Sequence, residues 1–233
     1  ELSDIALIPT KNRIEELRQV KNIQEVDSIR KAAKLTDKCF TYILTRMTSG
    51  ITEMEIAWEI ESFFNRHGAE SAFPPIVAFG KNTSQPHYKS SPICKLRTAN
   101  LVLLDFGAKV DGYCADMTRV IFLGRPKQEH KKAYETLLSA QKYAVEKLQQ
   151  GERSGACLDQ LVRGKLDIAG YMPYPHSLGH SIGLAIHEGP RLSVNHDETL
   201  QPGHVVTVEP GIYIEGKFGI RIEDLVLIKE HGN

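Results

Sequence analysis

Asp105-Phe-Gly-Ala-Lys-Val-Asp111-Gly112 and Glu209-Pro-Gly-Ile-Tyr-Ile-Glu215-Gly216 are two half-matching stretches of this chain, and their comparison decides the fold. Each opens with a carboxylate after an apolar run, places Gly two residues on and turns at an acidic-Gly pair. Each then returns on a strand bearing a second carboxylate, Asp116 or Glu223. In the first stretch, a two-residue Asp111-Gly112 turn pairs Val110 with Tyr113 and therefore Asp105 with Thr118. Side chains alternate with period two along a strand, so Asp116 falls diagonal to Asp105 on the same face. Carboxylates so placed repel unless one is protonated, they share a proton, or they bind a cation. A second converging pair makes a divalent metal the favoured reason.

Outward from the hairpins, the pattern is helix pair, strands, helix pair, strands. Val26, Ile29, Ala33, Thr36, Phe40, Ile43 and Met47 recur at steps of three and four, which predicts an amphipathic helix from about Asn22 that Gly50 ends. Thr52 with Glu55 reads as a capping box for a second helix that stops near Gly68. Strands are expected at Phe73–Phe79, Leu101–Val110 and Tyr113–Leu123. Pro126 then opens a long helix to about Gln150, and a shorter one covers about Gly155–Ala169. Strands return around Val205–Val208, Ile212–Ile214 and Ile220–Ile228. A duplicated α+β unit of this kind sets its two acidic hairpins side by side at a pseudo-twofold axis, with one site between them.

The bulk properties fit a single soluble unit. The 233 residues are 41% hydrophobic and 25% charged, enough to bury a substantial core. The formal charge is zero and no basic run of five or more occurs, so neither nucleic acid nor an anionic membrane is implied as a partner. Cys39, Cys94, Cys114 and Cys157 lack zinc-like spacing, which points to a reducing cytoplasm. No stretch is long and apolar enough to span a bilayer, and the start at Glu1 has no basic leader.

A further ligand candidate lies in His176-Ser-Leu-Gly-His180-Ser-Ile-Gly183-Leu184-Ala-Ile-His187-Glu188. A divalent ion held mainly by carboxylates commonly accepts one imidazole, and two Asp, two Glu and one His suffice for two metals with bridging carboxylates. Two other motifs in the chain carry less. Gly179-His-Ser181-Ile-Gly183 fits the elbow of serine hydrolases, but no long helix follows it. Asp105-Phe-Gly matches a kinase tripeptide with neither a glycine-rich loop nor an H-R-D segment beside it. Taken singly, Asp105 reads as a turn or solvated residue and His87 as a surface histidine; the joint pattern outweighs both readings.

The chain resembles the catalytic domain of the metallopeptidase family with the pita-bread fold, which includes methionine aminopeptidases, aminopeptidase P and prolidase. Leu104-Asp105-Phe-Gly-Ala, Ala115-Asp116-Met-Thr-Arg119, the His176–Glu188 stretch, Val208-Glu209-Pro-Gly and Arg221-Ile-Glu223-Asp224 carry the resemblance. It spans roughly Asn22 to His231. The Xaa-Pro branch fits best, through His176, His180, Gly183, Leu184 and His187; methionine aminopeptidases usually have Gly where this chain has Ser181.

What the resemblance implies is specific. Metal-dependent hydrolysis of the bond preceding proline is expected, as Xaa-Pro dipeptidase or aminopeptidase, by a metal-bridging hydroxide. Asp105 would chelate one of two divalent ions, Asp116 and Glu223 would bridge, and His180 with Glu209 would hold the other. Manganese is the first expectation, with cobalt, zinc and iron as alternatives. Glu209 would also accept the proton from water. His87 would approach the scissile amide and His187 the carbonyl, while His176 lines the proline pocket. Arg191 is a candidate anchor for a substrate carboxylate. Arg221 either orients Glu223 or reaches the substrate. The substrate is a proline-containing peptide. Xaa-Pro members generally carry a separate N-terminal domain that often mediates dimer contacts. Residues 1–21 therefore read as a leader or linker remnant, residues 22–233 as the catalytic domain, and a homodimer is an open expectation. The rival reading is a non-catalytic peptide- or protein-binding module on the same fold. A creatinase-like hydrolase would not need this ligand set.

Overall fold

Asn22 and Thr52 set where the first helix pair begins. The Asn22 side chain accepts from the backbone N–H groups of Gln24 and Glu25, and Glu25 reaches back to the Asn22 N–H at 2.8 Å. Thr52 and Glu55 form the same reciprocal box, 2.8 and 3.2 Å. Each cap contributes about 1 kcal/mol by satisfying N–H groups that the helix leaves unpaired.

The computed structural model describes residues 8–97, 101–196 and 198–230. A short helix α1 (Arg13–Gln19) precedes α2 (Ile23–Arg46) and α3 (Glu53–Arg66). Strands β1 (Glu70–Ser71) and β2 (Ile76–Phe79) follow, then a 3₁₀ turn (Gly80–Ser84). The first acidic hairpin supplies β3 (Leu101–Asp105), β4 (Ala108–Val110), β5 (Tyr113–Cys114) and β6 (Thr118–Phe122). The second half repeats the order with α4 (Gln128–Gln149), α5 (Gly155–Ile168), β7 (Gly179–Ser181) and β8 (Glu188–Leu192). It ends with β9 (Val205–Val208), β10 (Gly211–Ile214), β11 (Phe218–Arg221) and β12 (Asp224–Leu227). Every pairing among these strands is antiparallel. The fold is α+β.

Each helix pair covers its own strands. Ile43, Ile56, Ile60 and Phe64 pack with Leu104 and Phe106 in the first half. In the second, Leu137, Leu148, Leu158 and Leu166 pack with Val206 and Ile220. Each such fully buried side chain contributes about 1.5–3 kcal/mol. Thr36, buried in α2, joins helix to strand by accepting from the Ala108 N–H at 3.0 Å.

Both hairpins are longer than their strands. Val110 pairs with Tyr113 and Asp105 with Thr118, so the register runs unchanged across the break between β4/β5 and β3/β6. Gly107 sits in that break because a Cβ there would lie 1.7 Å from the Ala115 carbonyl oxygen. The second hairpin turns through three residues, with Ile214 opposite Phe218 and Gly216 in the left-handed region, φ 68°. Its register continues from Gly211 opposite Arg221 to Asp224 opposite Val208, which sets Glu209 directly across from Glu223. The half-match is therefore inexact: one carboxylate pair is diagonal, the other opposed.

Several expected boundaries move. The first long helix ends at Arg46, not Gly50, whose N–H instead bonds the Leu96 carbonyl. Strand β2 starts at Ile76 rather than Phe73, since Pro74 and Pro75 have no N–H for a ladder. The expected strands Leu101–Val110, Tyr113–Leu123 and Ile220–Ile228 are each broken at or just after the carboxylate they carry. Residues 13–21 fold against the main body: Lys21 is buried, and its N–H donates to the Gly203 carbonyl at 2.9 Å.

Candidate metal centre and active-site cleft

The breaks in the hairpins turn carboxylates inward from four strand ends. Asp105 closes β3, Asp116 lies between β5 and β6, Glu209 follows β9 and Glu223 precedes β12. The hairpins are stitched together there by the Glu223 N–H, which donates to the Thr118 carbonyl at 3.3 Å, while the Glu209 N–H donates to the carbonyl of Leu178, just ahead of β7, at 2.8 Å. His180 enters from β7.

One cleft of about 700 Å³ is lined by all ten residues named from the sequence: His87, Asp105, Asp116, His176, His180, His187, Arg191, Glu209, Arg221 and Glu223. Ligand atoms of Asp116, His180 and Glu223 lie within 4.8 Å of one another. His180 Nε2 stands 3.3 Å from Glu209 Oε1 and 3.7 Å from Asp116 Oδ2. Its Nδ1 faces the Ser181 carbonyl at 3.1 Å, which leaves Nε2 turned toward the carboxylates.

The electrostatics describe a site short of positive charge. Burial, followed by the neighbouring Glu223 and Asp105 carboxylates, raises Asp116 well above the ordinary carboxylate range. Glu223 is raised well above it too, by burial and then by Glu209 and Asp105. Burial also raises Asp105, against the pull of Arg221. Glu209 runs the other way: burial pushes it up, but the hydrogen bond and charge of His180, joined by His176 and Arg221, hold it down. Asp116 Oδ1 and Glu223 Oε1 are buried with no hydrogen-bond partner. Such orphaned oxygens are costly unless something electropositive meets them. A hard or borderline divalent cation fits this donor set of carboxylates and one imidazole.

Residues around the cluster fix its shape. Arg221, buried in β11, donates through Nη2 to Asp105 Oδ2, through Nε to Thr118 Oγ1 at 3.0 Å and through Nη1 to the Tyr213 hydroxyl at 2.7 Å. Thr118 Oγ1 donates in turn to Glu223 Oε2 at 2.7 Å, and Thr207 Oγ1 to Glu209 Oε1 at 3.2 Å. His176 Nε2 is 3.0 Å from the Tyr213 hydroxyl. His187 stands edge-on to His180, ring centroids 4.4 Å apart, and burial followed by the nearby His180 lowers its pKa. His87 and Arg191 lie at the exposed rim. Ser181, the centre of the elbow-like motif, is buried with its hydroxyl donating to the Val205 carbonyl.

The match to the metallopeptidase family M24 model covers residues 27–230. The chain belongs to that family. Among its M24 relatives, the Xaa-Pro dipeptidase of Pyrococcus furiosus is 40% identical over 222 residues, 94% of this chain and 63% of that protein. An uncharacterized peptidase of Bacillus subtilis is 42% identical over the whole chain and 66% of its own length. The solved Xaa-Pro dipeptidase from Bacillus anthracis superposes with a TM-score of 0.93 at 40% identity, covering 99% of this chain and 65% of that one. The X-Pro aminopeptidase from Thermotoga maritima gives 0.90 at 39%, covering 95% and 63%. These relatives place the chain in the Xaa-Pro branch of M24 with its pita-bread fold. The chain spans roughly two-thirds of the length of the curated relatives it matches.

Sequence reasoning missed several residues at the site of this M24 member. Thr118 was within reach, since the hairpin register puts it opposite Asp105. Tyr213 lies one residue before Ile214 in the second hairpin and carried no separate signal. Arg163 lines the cleft wall and donates to the carbonyls of Tyr174 and His176, 2.9 and 2.6 Å. Lys21 was unreadable: its ammonium contacts Glu188 at 3.1 Å and Ser181 Oγ at 3.2 Å, some 160 residues away. Arg18 joins it on the Glu188 carboxylate.

Proposed function

We propose that the chain hydrolyses the peptide bond preceding proline with two divalent ions, manganese first among the candidates, and that residues 22–233 form its catalytic domain. The observation that carries this reading is the pair of orphaned carboxylate oxygens, Asp116 Oδ1 and Glu223 Oε1, gathered with His180 inside the cleft. Asp105, Asp116, His180, Glu209 and Glu223 would hold the ions. Bound there, divalent ions supply Lewis acidity that acidifies a water and polarises a carbonyl.

The chain's own residues do the rest. Glu209, kept ionised by His180, accepts the proton of the attacking water at its carboxylate. His187, kept neutral by burial and by His180, donates to the carbonyl oxygen as it gains charge. His87 approaches the scissile amide from the rim, and His176, backed by the Tyr213 hydroxyl, lines the space for the proline ring. An amide to proline is tertiary and lacks an N–H, so the ring itself must be read. Arg191 offers a planar fork to a substrate carboxylate. Of the two roles open to Arg221, its partners favour holding a metal ligand, and that ligand is Asp105 rather than Glu223.

The test is hydrolysis of Xaa-Pro, Xaa-Pro-Yaa and Xaa-Ala by protein stripped with chelator and resupplied with manganese, cobalt or zinc. Metal-restored cleavage confined to the proline substrates is expected, and the ratio of the first two separates dipeptidase from aminopeptidase. Metal binding without cleavage would overturn the enzyme reading in favour of a binding module. The free thiols of Cys39, Cys94, Cys114 and Cys157 fit a reducing, cytoplasmic setting, and among the described residues no helix is long and apolar enough to cross a membrane.

A further inference from the structure

Glu53, in the first turn of α3, is fully buried and lies outside the cleft lining. Its Oε1 accepts from the Phe79 N–H at 2.7 Å and from Asn82 Nδ2 at 2.9 Å. Its Oε2 accepts from the Tyr88 hydroxyl at 2.8 Å and from the Ser91 N–H at 3.0 Å. Asn82 Nδ2 also reaches the Tyr88 hydroxyl at 2.8 Å. Two donors precede His87 in the chain and two follow it, and Tyr88 is its immediate neighbour. The segment 80–91 contains only the 3₁₀ turn Gly80–Ser84, so no strand ladder holds its second half. Burial and then the Glu53 carboxylate push the Tyr88 hydroxyl above its ordinary range, which keeps it a donor.

We propose that Glu53 is a positioning residue for His87, its carboxylate gathering donors from both sides of the loop that carries the histidine into the cleft. This rests on the reading of His87 as part of the active site. A carboxylate can accept all four bonds, whereas an amide of the same shape turns N–H groups toward two of the donors. The loop would then hold His87 in more than one place, and misplacement by about an ångström is enough to slow a reaction markedly.

The experiment is a double-mutant cycle of Glu53→Gln with His87→Ala in metal-loaded protein, read as kcat and KM on an Xaa-Pro substrate. Glu53→Gln is expected to lower kcat about tenfold with His87 present and less than about twofold in the His87→Ala background, the signature of one residue acting through the other. Equal losses in both backgrounds would overturn the proposal. Tyr88→Phe removes one donor and keeps the ring, so it serves the same cycle if Glu53→Gln does not fold, with a smaller expected loss that again vanishes without His87. A second readout is independent of turnover: the His87 ring resonance of histidine-labelled, zinc-loaded protein, identified by its absence in His87→Ala. One sharp resonance that splits or broadens in Glu53→Gln supports positioning, and an unchanged one overturns it. If His87→Ala leaves turnover intact, the assigned role of His87 fails, and the resonance alone decides whether Glu53 holds the loop.

Discussion

Arg221 is a buried cation whose fork is divided among Asp105, Thr118 and Tyr213, so it sets a positive charge beside a crowd of four carboxylates. Removing one partner of a buried pair leaves the other charge uncompensated. In the metal-free protein Arg221→Met is expected to cost about 3–5 kcal/mol in denaturant unfolding, and a loss under about 1 kcal/mol would reject this role. Glu209→Gln probes a different function of the same cluster. It should lower kcat by at least about a thousandfold while circular dichroism stays unchanged, because the proposed ligand and base would be lost together. Activity near that of the parent protein would sink the assignment. Arg191 is exposed at the rim, where its loss should weaken dipeptides more than longer peptides; equal weakening of both would reject a carboxylate anchor.

At the scale of elements, the hairpins explain why much of the site could be read in the sequence. A turn type fixes register, register fixes face, and so Asp105, Asp116 and Thr118 follow from a dozen contiguous residues. The capping boxes at Asn22 and Thr52 are equally local. Pairings between distant segments were not legible. Strands β7 and β8 hold His180 and Arg191, yet β7 is joined to β9 through Ser181 opposite Val206 and the Ile182 N–H on the Val205 carbonyl, contacts no local pattern announces. The glycine two residues after each carboxylate was visible, but its reason was not: a Cβ at Gly107 would meet the Ala115 backbone, and one at Gly211 the Tyr213 ring. Gly107→Ala would drive a methyl into the Ala115 carbonyl, and since neither side is a flexible side chain, a loss of more than about 2 kcal/mol is expected by thermal or denaturant unfolding. His204, just before β9, is buried and accepts from the Gln201 N–H at 3.1 Å; burial and then Lys21 lower its pKa to about 4. Its unfolded form takes up a proton near pH 6.5 and its folded form only near 4. Stability should therefore fall as pH drops through that window, and His204→Gln should flatten the decline in melting temperature there.

For the whole molecule, the acidic centre couples folding to metal. Asp105, Asp116 and Glu223 hold protons more tightly folded than unfolded, so in stripped protein their contribution to stability is lost as pH rises above the ordinary carboxylate range. Metal binding demands the ionised forms and releases those protons. The gap in melting temperature between manganese-loaded and chelated protein should thus widen with increasing pH, and a gap independent of pH would contradict it. The N-terminal strap adds a last point. Lys21 and Arg18 neutralise Glu188, the residue beside His187, yet both precede residue 27, where the family match begins. A protein trimmed to the family boundary would keep every proposed metal ligand and still strand a carboxylate beneath the cleft. Proteolytic nicking ahead of Asn22 would then read as an enzyme that binds metal and looks folded but works poorly.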